Sequence, residues 1–199
     1  MSLFKTLSHF SLLATVCFCS ITQASSIFFE PSVGYKSHTL RLTDYANSET
    51  KLTMVSPVYG LRVGTRSMMG IDLNLAYDYS AGKADYSPLS EKNNFSQKTA
   101  SAQLGINALG ALKIYLGYGF LNELQVDGGI LNSDMKLKGL AYQAGLQFKL
   151  IPLVMFGLQY NLNQFKTIEG KIYRAGNAID TYYNKVDSQD FSGSLSISF

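Results

Sequence analysis

The sequence contains no tryptophan and only two cysteines, Cys17 and Cys19, both close to the N-terminus. Charged residues fill 16% of the 199 positions, against about 25% in ordinary soluble domains. Beyond the first two dozen residues, no apolar run approaches the roughly 20 residues that a membrane-crossing helix needs. Each shortage excludes something. With no cysteine after position 19, neither a disulfide nor a thiolate metal site can support the fold. A formal net charge of +3 is too small for a nucleic-acid binder, which carries a clustered basic face. Hydrophobic residues still amount to 46%, so the low charge does not signal disorder, which pairs low hydrophobicity with high charge. The length fits one domain.

What is present begins with a leader. Lys5 precedes an apolar stretch from Phe10 to Ile21, and Thr22-Gln23-Ala24 follows as a small-x-small site. That stretch is too short to span a bilayer, so residues 1–24 read as a cleaved secretory signal peptide and residues 25–199 as the mature domain. A retained anchor is the competing reading. Val16 and Phe18 stand where a lipoprotein signal has a small residue before its cysteine, which argues against lipidation.

The remaining chain alternates with period two. The apolar sets are Phe29, Pro31, Val33, Tyr35; then Val55, Pro57, Tyr59, Leu61, Val63; then Ile71, Leu73, Leu75, Tyr77, Tyr79. Ala100 to Ala108 and Leu112 to Phe120 continue it, followed by Leu140 to Phe148, Val154 to Leu162 and Phe191 to Phe199. None of these alternate positions carries a charge, whereas the positions between them hold glycine, serine, asparagine, glutamine, Glu30, Arg62, Asp72, Asp78 and Lys113. Eight strands of about ten residues suit a tilted membrane crossing.

A soluble ligand-binding barrel or an open sandwich also alternates, but a soluble barrel turns its apolar set inward. Here that would leave a glycine-rich set outside. Glycine has no side chain to pack in a strand and fits a crowded inner wall better, which favours the apolar set in lipid. Connections also alternate. Residues 65–70, 109–111 and 151–153 are short, and the others run about 15 to 28 residues, as in membrane barrels with short periplasmic turns. Phe29, Phe148, Phe156 and Phe199 sort to the short-turn end. Tyr35, Tyr77, Tyr79, Tyr118, Tyr142 and Tyr160 sort to the other, as aromatic girdles do. The expectation is an all-β, eight-stranded antiparallel up-and-down transmembrane β-barrel. Pro31 and Pro57 interrupt ladders in this scheme, so Pro31 is expected near the periplasmic rim and Pro57 at a bulge or beyond the membrane.

The ending Phe191-x-Gly193-x-Leu195-x-Ile197-x-Phe199 resembles the terminal strand of bacterial outer-membrane barrels. With the strand count, leader and loop asymmetry, the chain is similar to the small OmpA/OmpX-type barrels. No periplasmic domain like OmpA's is expected after the barrel, so a peptidoglycan-anchoring role is not carried over. The resemblance implies an outer-membrane location, a monomer, and a structural or surface-interaction role. It also implies contacts with outer-membrane lipids including lipopolysaccharide, with periplasmic chaperones and with the barrel assembly machinery. Phe191, Leu195, Ile197 and Phe199 would form the assembly signal.

An eight-stranded barrel is just wide enough for side chains to fill. The inward charges Glu30, Arg62, Asp72 and Lys113 fall in the periplasmic half, and buried charges require partners. They read as a salt-bridge plug, with a narrow channel for ions or small solutes as the alternative. A lipid-modifying enzyme is a third class. His38, Asp78 and Ser80, at the outer ends of the first and third strands, supply Ser-His-Asp residue types at a lipid-facing rim, without recognised spacing. His38 itself reads as a solvated loop residue. Asp127-Gly128-Gly129 reads as a turn rather than a calcium loop. No cofactor is expected. Lysines such as Lys51, Lys83, Lys98, Lys136, Lys138 and Lys166, with Arg174 in the longest loop, face the outer leaflet, where phosphorylated glycolipid would reward cations. That loop, about Thr167 to Val186, carries Tyr173, Tyr182 and Tyr183 and is expected to be flexible.

Overall fold

The computed structural model describes residues 26–86, 91–108, 111–128, 133–170, 177–178 and 183–199. The expected signal peptide, Gly129 of the expected turn, the 109–110 connection and Tyr173, Arg174 and Tyr182 lie outside these residues. Among the described residues there are nine strands: β1 (Ser26–Thr43), β2 (Glu49–Arg66), β3 (Ile71–Tyr86), β4 (Glu91–Ala108), β5 (Leu112–Gly128), β6 (Ser133–Ile151), β7 (Val154–Gly170), β8 (Asn177–Ala178) and β9 (Lys185–Ile197). Each long strand pairs antiparallel with the next, and β9 lies between β7 and β1, closing an eight-stranded barrel. The two-residue β8 adds to the upper end of β7.

The apolar set faces outward. Val33, Tyr59, Leu75, Leu104, Leu116, Tyr142 and Phe191 are exposed, while Glu30, Arg62, Asp72, Gln103, Lys113 and Gln143 between them are buried in the lumen. Tyrosines ring one end, with Tyr118 and Tyr142 tilted at 5.8 Å. Phe29, Phe148 and Phe199 are exposed near the other. These girdles bracket the membrane band.

The eight barrel strands are longer than the ten residues expected, at 13 to 19, and the connections shorter. Only residues 44–48 join β1 to β2, where the alternation suggested about 19. The reason is a change of phase. Above the tyrosine ring the inward positions become apolar and the outward ones polar. In β1, Leu40 and Leu42 point in on the parity of Glu30, while Thr39 and Arg41 face out. In β5 a register shift against β4 places Phe120 and Leu121 both outward, after which Leu124 and Val126 turn in. Leu40, Leu42, Leu52, Met54, Phe95, Leu124, Leu137 and Ile168 belong to one buried core that fills this outer half. Above the membrane, water surrounds the wall, so the extension packs like a soluble barrel.

Pro31 lies just below the point where the β1–β9 ladder starts, at Ser32–Ser196, and above the Phe29–Phe199 pair. Pro57 is not at a bulge. The β2–β3 ladder skips residues 56 and 57 and resumes in the same register, from Val55–Lys83 to Val58–Ser80. A lost donor at one rung, level with the outward Tyr35 that Pro57 faces on β1, is accommodated without inserting a residue.

Candidate functional site

The barrel interior carries the chemistry, in two polar tiers below the apolar core. The lower tier starts from a cross-strand pair: Glu30 and Arg62 are register partners on β1 and β2, and their side chains meet at 2.9 Å. Gln147 Nε2 donates to the same Glu30 oxygen at 2.5 Å. Arg62 also donates to Gln159 Oε1 at 3.2 Å and lies over the Tyr115 ring at 5.4 Å. The Tyr115 hydroxyl donates to Gln159 at 2.8 Å. Gly145, on the neighbouring strand, is what lets this ring lie flat against the wall, since a Cβ there would collide with it.

Asp72 and Lys113 form a separate unit at the periplasmic mouth, 2.9 Å apart. They sit on β3 and β5 with β4 between them. The intervening residue is Gly105, where a Cβ would come within 2.8 Å of the Lys113 stem. Arg66 joins them, donating to both Asp72 oxygens at 3.0 and 3.2 Å, and Asn107 adds a bond at 2.9 Å. Arg66 and Lys113 both stack on Phe28, at 5.2 and 5.0 Å.

The upper tier is a closed ring that the strand patterns did not single out. Lys36 donates to Gln97 at 2.8 Å, Gln97 to Asn122 at 2.9 Å, Asn122 to Asn163 at 2.9 Å and Asn163 to Asp190 at 2.6 Å. Asp190 closes it with an ion pair to Lys36 at 3.3 Å. Lys36 and Asp190 extend the inward parities of Glu30 and of the Ser192–Ser196 set, which was the signal available in the sequence.

His38 is not a solvated loop residue. It is buried inside the barrel, edge-on to Phe95 with ring centres 5.2 Å apart. Its Nδ1 lies 3.2 Å from Asp190 Oδ1 and its Nε2 3.4 Å from Ser80 Oγ. The lumen thus brings β1 and β3 side chains together although the strands are not adjacent. The carboxylate partner is Asp190 and not Asp78, which instead accepts from Gln159 at 3.4 Å. The order of contacts is that of a Ser-His-Asp relay. It stands within the wall, not at a lipid-facing rim, and Lys36 shares its carboxylate.

Between the two tiers lies a void of about 10 Å³ lined by Ser32, Lys36, Arg62, Asp78, Gln159 and Ser192. That is about the least space a single water needs.

Residues 10–199 match the family "Outer membrane protein beta-barrel domain". The chain belongs to this family. It is an integral outer-membrane β-barrel protein. Similar folds include Neisserial surface protein A, at 19% identity and TM-score 0.55, covering 89% of this chain and 100% of that one. Ail of Yersinia pestis, crystallised with the heparin analogue sucrose octasulfate, is similar at 15% identity and TM-score 0.57, covering 87% and 99%. OprG of Pseudomonas aeruginosa is similar at 16% identity and TM-score 0.51, covering 88% and 97%. A search of curated proteins finds no significant sequence match.

The terminal residues Phe191, Leu195, Ile197 and Phe199 are exposed on the outer wall. Phe199 and Phe29 exchange backbone hydrogen bonds at 3.0 and 3.3 Å, fastening the seam where the chain's two ends meet.

Proposed function

We propose that this barrel is a closed, non-conducting outer-membrane protein whose role is structural and surface-interacting, and not catalytic. One observation carries the reading. Among the described residues the lumen is occupied along its height by the Asp72 and Arg62 units, the Lys36–Asp190 ring and the apolar core, and the void between the tiers is no larger than a water. The Ser80–His38–Asp190 contacts support the same role: all three residues are buried and tied into the ring. The protein acts as a monomer in this reading.

The surface role rests on the extension above the membrane. Most cations on its outer wall are matched: Arg41 and Lys51 with Glu49, Lys136 with Glu123, Lys138 with Glu169 and Lys185 with Asp187. Among the described residues, Lys83, Lys98 and Lys166 on this wall make no ion pair. Lys98 stands beside outward-facing Tyr79 in the ladder, at the tyrosine ring. This is where the phosphates of lipopolysaccharide would lie, and charge-assisted contacts would hold them. The structure of Ail with a sulfated heparin analogue supports anionic saccharide as the class of partner. The test compares thermal unfolding in neutral vesicles with and without lipopolysaccharide. The glycolipid should raise the midpoint at low salt, and a Lys83→Gln, Lys98→Gln, Lys166→Gln variant should lose most of that rise. An equal rise in both proteins would remove the basis of the surface reading.

Assembly is the second partner-dependent property. Removing Phe199 deletes one rung of the seam, worth about 0.5–1.5 kcal/mol per hydrogen bond. If the terminal strand is also what periplasmic chaperones and the assembly machinery read, the truncated chain accumulates in the periplasm out of proportion to that loss. Normal assembly of the truncated chain at native expression levels would refute the signal.

A further inference from the structure

The periplasmic mouth holds a cavity of about 450 Å³ that neither the plug nor the surface reading uses. Its volume lies within the range of small-molecule sites, about 300–1,000 Å³. One side is basic: Arg66, Lys113 and Lys149 line it. Asp72 contacts the first two, so the mouth keeps an excess of positive charge, and Lys149 makes no ion pair among the described residues. The other side is apolar, with Ile27, Leu112, Met155 and Phe199. At its floor, Lys113 is buried and ion-paired with Asp72 at 2.9 Å. Gln147 Oε1, also buried and lining the cavity, has no partner.

Lys113 is held by Asp72, Gln147 Oε1 has no partner, and both residues line the cavity. A headgroup with anionic oxygens would be drawn by Arg66 and Lys149, with the Lys113 charge behind them, since Asp72 offsets only one of the three cations. An apolar chain would cover Met155 and Leu112. Inorganic phosphate satisfies only the first half of this lining, and a neutral alkyl chain only the second.

We propose that the periplasmic mouth is a binding site for a single-chain anionic amphiphile, with a phosphate or carboxylate head directed at Arg66 and Lys149. The site faces the periplasm, so it is independent of whether the lumen conducts and of what the outer wall binds.

The methionines supply the readout. Met68 and Met155 line the mouth, whereas Met54 and Met135 belong to the outer core. The full mature chain, refolded in phosphatidylcholine nanodiscs with methyl-labelled methionine, is titrated with dodecyl phosphate, dodecanoate, dodecyl maltoside and inorganic phosphate. Dodecyl phosphate or dodecanoate should shift Met155 and Met68 saturably and leave Met54 and Met135 in place. The stronger of the two identifies the head. Lys149→Gln should weaken that binding at least threefold. Combining it with Arg66→Gln should weaken it at least tenfold, with the Met54 and Met135 signals reporting an intact fold. The proposal is overturned if dodecyl maltoside shifts Met155 as tightly, if inorganic phosphate alone binds as well, or if neither charge substitution changes the affinity.

Discussion

Arg62→Ala is expected to destabilise the barrel by about 3–5 kcal/mol, reduced by whatever water enters the lumen, because it leaves a buried carboxylate without its cation. Glu30 would keep only Gln147 as a donor on the oxygen it now shares with Arg62. The Tyr115 and Gln159 oxygens would lose their charged donor as well. The informative protein is the double variant. Once Glu30→Gln removes the stranded charge, much of the penalty disappears, so Arg62→Ala with Glu30→Gln should be more stable than Arg62→Ala alone. Reversible unfolding in lipid vesicles of the wild type, both single variants and the double variant gives the coupling, expected within about 0.5–3 kcal/mol for groups in contact. A coupling of zero would mean that the 2.9 Å pair has no energetic role.

Phe95→Ala should be as costly, for a different reason. Phe95 is buried among the apolar residues of the outer half and caps the polar ring through its edge contact with His38. Truncating a buried phenylalanine typically costs about 3–5 kcal/mol, since transfer and cavity terms add. Tyr45, exposed in the short connection between β1 and β2, should tolerate alanine with almost no change. The comparison tests whether the extension is a cohesive core. Denaturant midpoints with unchanged slopes would show a pure stability effect. Equal, small effects at both positions would mean that the outer half contributes little to folding.

The membrane half of this barrel was legible because lipid imposes a strict rule: outward positions must be apolar over the whole crossing. Leu75, Leu116 and Leu146 therefore announce their face, and Glu30, Arg62, Asp72 and Lys113 announce theirs. The outer half was misread because the same rule reverses once water replaces lipid. Leu40 and Leu42 break the odd-numbered apolar series of β1 and so resemble a loop, although they keep the inward parity of Glu30. In β5 the even-numbered series resumes at Leu124 and Val126 after one polar residue, Asn122. A register shift near Phe120 turns it from outside to inside, and such shifts leave no mark in the composition. His38 was misplaced for the same reason: a residue assigned to a loop is assigned to solvent. Contacts across the lumen, such as Ser80 with His38 or Lys113 with Asp72, depend on which strands face one another through the barrel. Strand order alone does not give that, and small residues such as Gly105 decide it.

The most direct measurement of the closed-lumen claim is single-channel recording of the refolded mature protein in a planar bilayer. The filled interior predicts no steady conductance in the wild type across the physiological range of salt and voltage. A stable unitary conductance that scales with protein insertion would contradict the closed lumen, and would make the Glu30–Arg62 pair the lining of an ion path.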